Sequence, residues 1–180
     1  MSPSVINKPS ELILAIGEAL RPIYPGLKVG GYQDFDGVVD DAWVLIAIQR
    51  DAAGTRANDG RIAHVLTISL QGVVAGKSGH SGLEACNLAS ALKDIVTDNR
   101  WGVSGGQCDL PMSIEAVPST FTSGEQVYDA WTVSFSQTLY FGSPLLDEPT
   151  GTPKFAFTSQ VSNIDDPDRY TELWSQALKG

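Results

Sequence analysis

Alternation of apolar and polar positions is clearest over residues 61 to 74, RIAHVLTISLQGVV. Ile62, His64, Leu66, Ile68 and Leu70 fall on one face of an extended strand; Ala63, Val65, Thr67 and Ser69 fall on the other. After the turn AGKSGHSG the period changes. Leu88, Leu92, Ile95 and Val96 recur at helical spacing, with small Ala85, Ala89 and Ala91 between them, which predicts a helix from about Leu83 to Val96. Ser81 and Glu84 have the S-x-x-E spacing of a capping box. Small residues let such a helix sit close to a sheet, so one long strand crossed by one helix forms the centre of the pattern.

The flanking segments read in the same way. A first helix from about Pro9 to Leu20 carries the stripe Leu12, Ile13, Ile16 and Leu20, with Asn7 or Ser10 as its cap. Leu27 to Gln33 reads as a short strand weakened by Gly30 and Gly31. The almost wholly apolar run Ala42 to Ile48 predicts a central strand covered on both faces. Arg50 to Gly60 reads as a polar hairpin tip, and Arg50, Arg56 and Arg61 form a local basic cluster. Pro111–Phe121 and Val127–Phe141 read as two strands joined by the turn Thr122-Ser123-Gly124-Glu125. In the second of them Trp131, Val133, Phe135, Leu139 and Phe141 alternate with hydroxyl-bearing residues.

The pattern changes at Gly142. Residues 142 to 154, GSPLLDEPTGTPK, are a Pro-rich linker. Phe155 to Val161 alternates as an edge strand does. Asp166-Pro167 is a helix start, followed by the stripe Tyr170, Leu173, Trp174 and Leu178. The expected fold class is therefore α+β: a mainly antiparallel sheet of about five strands packed against two helices, plus a C-terminal strand–helix arm. The expected division is a domain over residues 1–141 and an arm over 142–180. The arm either folds back on its own domain or reaches a neighbouring subunit through Phe155, Phe157, Val161, Tyr170, Leu173 and Trp174.

At 180 residues and 42 % apolar, the chain is long enough to bury a core. A net charge of −9 argues against a basic groove that grips nucleic acid. No apolar run approaches the ~20 residues of a membrane span, and no secretory signal pattern opens the chain. Two cysteines, Cys86 and Cys108, are too few for a disulfide framework, and a reducing cytoplasm suits them as free thiols. Asp34, Asp36, Asp40 and Asp41 have a spacing near that of a calcium loop but lack its regular ligand positions and final Glu, so a solvated turn is expected. His64 reads as a core or interface histidine. His80 is six residues from Cys86, but the thiol falls inside the helix. Gly76-Lys77-Ser78 lacks the frame of a phosphate loop. No catalytic, cofactor-binding or metal residues are assigned, and the chain does not read as an enzyme.

The stretches ELILAIGEAL, HVLTISLQGVVAG followed by GLEACNLASALKDIV, and EQVYDAWTVSFSQTLYF occur in an order that resembles the tail terminator proteins of tailed bacteriophages. These are also called tail-completion or head–tail joining proteins, and the likeness is to the Mu-like, contractile-tail type. It covers roughly residues 9 to 141 and rests on pattern and order rather than on an invariant motif; the arm after Gly142 departs from the smallest members. The resemblance implies a structural virion protein that forms a ring, usually a hexamer, on the last ring of the tail tube. It implies that this ring ends tube growth, secures the sheath protein where there is one, and docks the head-side connector or neck protein. DNA passes through the lumen without specific binding. Assembly takes place in the host cytoplasm and the mature location is the virion neck. Asp34, Asp36, Asp40, Asp41, Asp51 and Asp59 are the candidates for the lumen or its rim. Another neck or tail-tube subunit, or a small ligand-binding or enzymatic domain, are the alternative readings.

Overall fold

Pro9 fixes the first backbone angle of helix α1, Pro9–Leu20, where its missing N–H costs nothing. Neither Asn7 nor Ser10 caps it. Lys8 occupies the cap position, and Glu11 instead accepts the Asn7 N–H at 2.8 Å, so a first-turn carboxylate takes over the expected role. Leu12, Ile16 and Leu20 are fully buried. The computed structural model describes residues 5–22, 26–40, 42–75 and 79–146, and the backbone of 156–157 and 171–172.

Strand β1, Lys28–Gly31, is shorter than its sequence pattern predicts. The Asp34 carboxylate accepts the Gly31 N–H at 2.8 Å and turns the chain into a single 3-10 turn, Tyr32–Asp34. Strand β2 runs Ala42–Ala53 and β3 runs Ala63–Val74. The expected loop at Arg50–Gly60 therefore begins only at Gly54, because Arg50, Asp51, Ala52 and Ala53 remain paired to Thr67, Leu66, Val65 and His64. Helix α2 spans Ser81–Val96 with His80 at the cap position. The predicted capping box does not form: the Ser81 hydroxyl hydrogen-bonds the Asp129 carboxylate, tying the helix start to a strand. Strands β4, Met112–Ser123, and β5, Gln126–Tyr140, close a hairpin.

The sheet order is β1-β2-β3-β5-β4. The β1–β2 pair is parallel and the other three are antiparallel, so the fold is α+β with two helices and five strands in its sheet. The central strand is β3. The run Ala42–Ile48 lies one place from the edge, yet Trp43 to Ile46 is buried. That burial comes from two layers. Both helices cover one sheet face, where Val44, Ile46, Leu66, Ile68, Leu70, Val133, Phe135 and Leu139 meet Leu12, Ile16, Leu92 and Val96. Each such large side chain, fully buried, contributes about 1.5–3 kcal/mol. On the opposite face Phe35 and Val39 fold over Trp43, Leu45, Val73 and Ala130. The close helix–sheet approach expected from the alanines is set equally by Gly72, where an added Cβ meets Leu88 Cδ2 at 2.9 Å.

Two compact units divide the chain, Met1–Leu146 and Asp147–Gly180. In the second, strand β6, Ala156–Phe157, pairs antiparallel with β7, Thr171–Glu172. The helix predicted after Asp166-Pro167 is therefore interrupted by strand at 171–172. A helix of about three turns is marginal without a surface to dock on, and cross-strand pairing satisfies the same backbone groups. The rest of the predicted arm, including Phe155, Val161, Tyr170, Leu173 and Trp174, lies outside the described residues. Among the described residues no helix is long and apolar enough to cross a membrane.

Candidate assembly surface

The β2–β3 hairpin loop is anchored by Arg61, which the sequence places in an exposed basic cluster but which is only 7 % exposed. Its Nε donates to Asp59 Oδ2 at 2.8 Å, and its Nη2 donates to the Gly106 carbonyl at 2.6 Å. Nη1 reaches the carbonyls of Tyr140 and Gly142 at 3.3 and 3.4 Å. One guanidinium thus joins the hairpin, the loop after α2 and the end of β5, using the planar fork that only Arg offers. Ile62, expected inward, is exposed because β3 starts at Ala63 and Arg61 fills the interior position. The Asp59 carbonyl accepts the N–H groups of Leu145 and Leu146 at 2.9 and 2.8 Å, so the last residues of the first unit are held at this loop. Gly60 has φ +86°, and an added Cβ there comes within 3.2 Å of Leu145.

The hydrogen bond from Arg61 holds the Asp59 carboxyl below its ordinary value of 3.8. A depressed folded value means that the pair stabilises the fold fully above 3.8, and the stabilisation is lost as pH falls through the lower folded value. Asp59→Asn is expected to flatten the acid limb of a stability–pH curve below about pH 4, in the ordinary Asp range, and to lower stability at neutral pH. Urea unfolding across that range checks both.

The second feature is an open sheet edge. β1 pairs with β2 only from Trp43 to Ile46. From Ala47 to Ala53, seven residues, β2 has no neighbouring strand on that side among the described residues, and Gln49, Arg50, Asp51 and Ala53 are exposed. Beside the start of this edge lies a cleft of about 460 Å³, lined by Ile13, Leu14, Tyr32, Ile46 and Ile48 among others. Leu14 is 67 % exposed on the α1 side of it. Apolar walls next to unpaired strand backbone are what strand addition requires. The signal for this edge in the sequence was weak, since nothing but the shortness of β1 creates it.

The acidic candidates fall into two groups. Asp36 and Asp40 accept from Lys28 Nζ at 2.7 and 3.4 Å, and Lys28 also lies over the Trp43 ring. The bond to Lys28 lowers the Asp36 carboxyl, and the same bond raises the Lys28 amine. Asp34 is engaged with Gly31 as described, and Asp41 lies outside the described residues. Asp51 and Asp59 sit towards the other end of the sheet: Asp51 contacts His64 Nδ1 at 3.1 Å, and Asp59 holds Arg61. Trp43 and Asp51 are eight residues apart along β2, or about 25 Å. His64 is accordingly half-buried, between Asp51 and the ring of Phe141, rather than a core residue.

Among the described residues no group of three or more His, Cys, Asp or Glu side chains could hold a metal ion. Burial pushes the Cys108 thiol up to about 12, which keeps it protonated and unreactive. In the folded protein the half-buried Cys86 is therefore expected to alkylate with iodoacetamide first, and Cys108 only after denaturation, as read by mass. No protein-family model matches the chain, and no curated protein matches its sequence.

Proposed function

We infer that the chain is a structural virion protein, a tail terminator whose ring caps the tail tube and presents a docking face to the head connector. The support is the resemblance described above, together with one observation. A single chain carries two dissimilar elements suited to head-to-tail contact: an open strand edge on the first unit and a separate C-terminal unit. A closed ring needs two different complementary surfaces on each subunit, whereas a two-fold dimer needs one. The net charge of −9 suits a conduit through which phosphate backbones slide without sticking. Asp36 and Asp40, held by Lys28 opposite Trp43, lie about 25 Å along the strand direction from Asp51, whereas Asp34 sits beside Gly31 opposite Ile46, so one rim collects either Asp36 and Asp40 or Asp51 and Asp59, not both. The purified protein is expected not to retain duplex DNA at physiological salt, and tight, salt-sensitive binding contradicts the reading.

Removing the gene should yield tubes of abnormal length or tails that fail to join heads. Normal infectious particles without the protein overturn the proposal. A tube or neck subunit of similar design is separated by copy number: a terminator labels one ring per particle, a tube protein labels many.

A further inference from the structure

We propose that the sheet continues from one copy of this chain into a second copy: the outer edge of β4 in one pairs antiparallel with the open edge of β2 in the next, and Glu115 of the first stands opposite Arg50 of the second. The inference rests on the ring reading and supplies the contact that closes such a ring.

The sheet has two open edges among the described residues. One is β2 from Ala47 to Ala53; the other is the outer side of β4, at the far end of the strand order. A chain cannot join its own two edges. β3 and β5 stand between β2 and β4, three strand spacings or about 14 Å, and the two open sides face away from each other. Strand direction also fits. Three successive antiparallel pairings make β4 run opposite to β2. A neighbour turned about an axis along the strands therefore offers its β4 antiparallel, the more stable kind of pair. It repeats the contact at its own β2, so each copy gives to one neighbour and receives from the other.

Charge sets the register. Arg50 and Glu115 are exposed, and neither forms an ion pair among the described residues. Arg50 lies opposite Thr67, Thr67 opposite Ser136, and Glu115 opposite Ser134. Ser134 and Ser136 flank the core residue Phe135, so Arg50 and Glu115 both project from the sheet face away from the helices. Placed opposite each other they form a cross-strand ion pair. The bulge between Ile48 and Arg50 leaves Gln49 as the extra residue, so Ala116 then meets Ile48 on the helix face. Exposed Val117 comes opposite Ala47 on the other face. Pro118 falls next, opposite Ile46, which β1 already pairs. Proline has no N–H to give an added ladder, so the donor edge stops where the acceptor edge stops. A two-fold pairing of one β2 edge with another leaves Glu115 and the whole β4 edge without a partner.

The test uses the full chain with Cys86→Ser, leaving buried Cys108 in place. Arg50→Cys and Glu115→Cys are combined in one chain and oxidised at high protein concentration. Covalent dimers and larger multimers on a non-reducing gel are expected. Mixing the two single-cysteine chains should give the mixed dimer. Dimers of Arg50→Cys alone overturn the proposal in favour of two-fold pairing of β2 edges, and the absence of any cross-link overturns it outright. Arg50→Cys combined with Thr120→Cys, about 17 Å further along β4, should cross-link poorly, and equal yield there overturns the register. Independently, Arg50→Glu and Glu115→Arg should each weaken self-association by roughly tenfold or more in sedimentation, since like charges then stand opposite. The double reversal should restore it, and losses that simply add overturn the contact. Both side chains are exposed, so thermal unfolding of either single variant should match the parent. Cross-linking without a tail-assembly defect on gene removal refutes the terminator reading and leaves this contact standing. A terminator that caps tubes without cross-linking does the reverse.

Discussion

Arg61→Ala is expected to destabilise the fold by more than the loss of a single hydrogen bond, because one nearly buried guanidinium serves Asp59 and the carbonyls of three further residues. The side chain has almost no exposure, so its removal leaves the Asp59 carboxylate without its cation and the Gly106 carbonyl without the Arg61 donor, while the Tyr140 and Gly142 carbonyls keep only the Gln107 amide. The part-buried Gly106 carbonyl then carries a desolvation penalty on top of the lost ion pair and the two weakened carbonyl contacts, which is why the loss exceeds that of one hydrogen bond. For a chain of this size each kcal/mol lost lowers the melting temperature by about 2–4 °C. Arg61→Lys should recover less than half of the loss. An ammonium keeps the charge beside Asp59 but cannot span acceptors lying on three segments. The Asp59 carbonyl also holds Leu145 and Leu146, so the same variant should increase amide exchange at those two residues before global unfolding. Equal stability of the Ala and parent chains in urea refutes the anchoring role.

Arg61 also marks where the sequence stopped being legible. Period and composition identified both helices of the first unit, the long strands and the five strands of its sheet, because burial of Leu66, Ile68, Leu70, Val133 and Phe135 imposes a period of two that a one-residue slip destroys. Strand ends were less legible. Polar Gln49, Arg50 and Asp51 look like a loop, but backbone pairing to β3 does not depend on side-chain polarity. Capping was misread at α2 because Ser81 has a long-range partner, Asp129, that local spacing cannot reveal. Arg61 was grouped with exposed Arg50 and Arg56 for the same reason: its acceptors are up to 81 residues away in sequence. The open edge of β2 and its cleft arise from three-dimensional pairing alone, since β1 ends after four residues. The Asp candidates were chosen by clustering in sequence, and the sheet then separates them along a strand.

Gln137 supplies the second large effect and a sharper test of that logic. It occupies an inward position of β5, between Phe135 and Leu139, and is 1 % exposed. Hydrophobic patterning favours Leu there. The side chain instead accepts the Trp101 indole N–H at 2.8 Å and donates to the carbonyls of Asn99 and Asp109, each at 3.0 Å. It therefore ties the loop after α2 to the middle of the sheet, and Trp101, with φ +57°, packs near Phe135 at 6.2 Å between ring centroids. Gln137→Ala should cost about 3–4 kcal/mol, combining a cavity with a stranded indole N–H and Asn99 carbonyl and a weakened Asp109 carbonyl. Gln137→Leu fills most of the cavity and adds apolar surface, yet should still cost about 2–3 kcal/mol, because the buried indole N–H and the part-buried Asn99 carbonyl lose their partner and the Asp109 carbonyl keeps only the weak Cys108 thiol donor. Gln137→Glu should be worse than Leu near neutral pH, since an ionised carboxylate loses both donated bonds and faces two carbonyl oxygens. Urea unfolding of the three variants, with Trp101 fluorescence following the loop, measures the series. A Leu variant as stable as the parent shows that the polar bridge contributes nothing beyond packing, and the assignment of the 99–109 loop to this one side chain then fails.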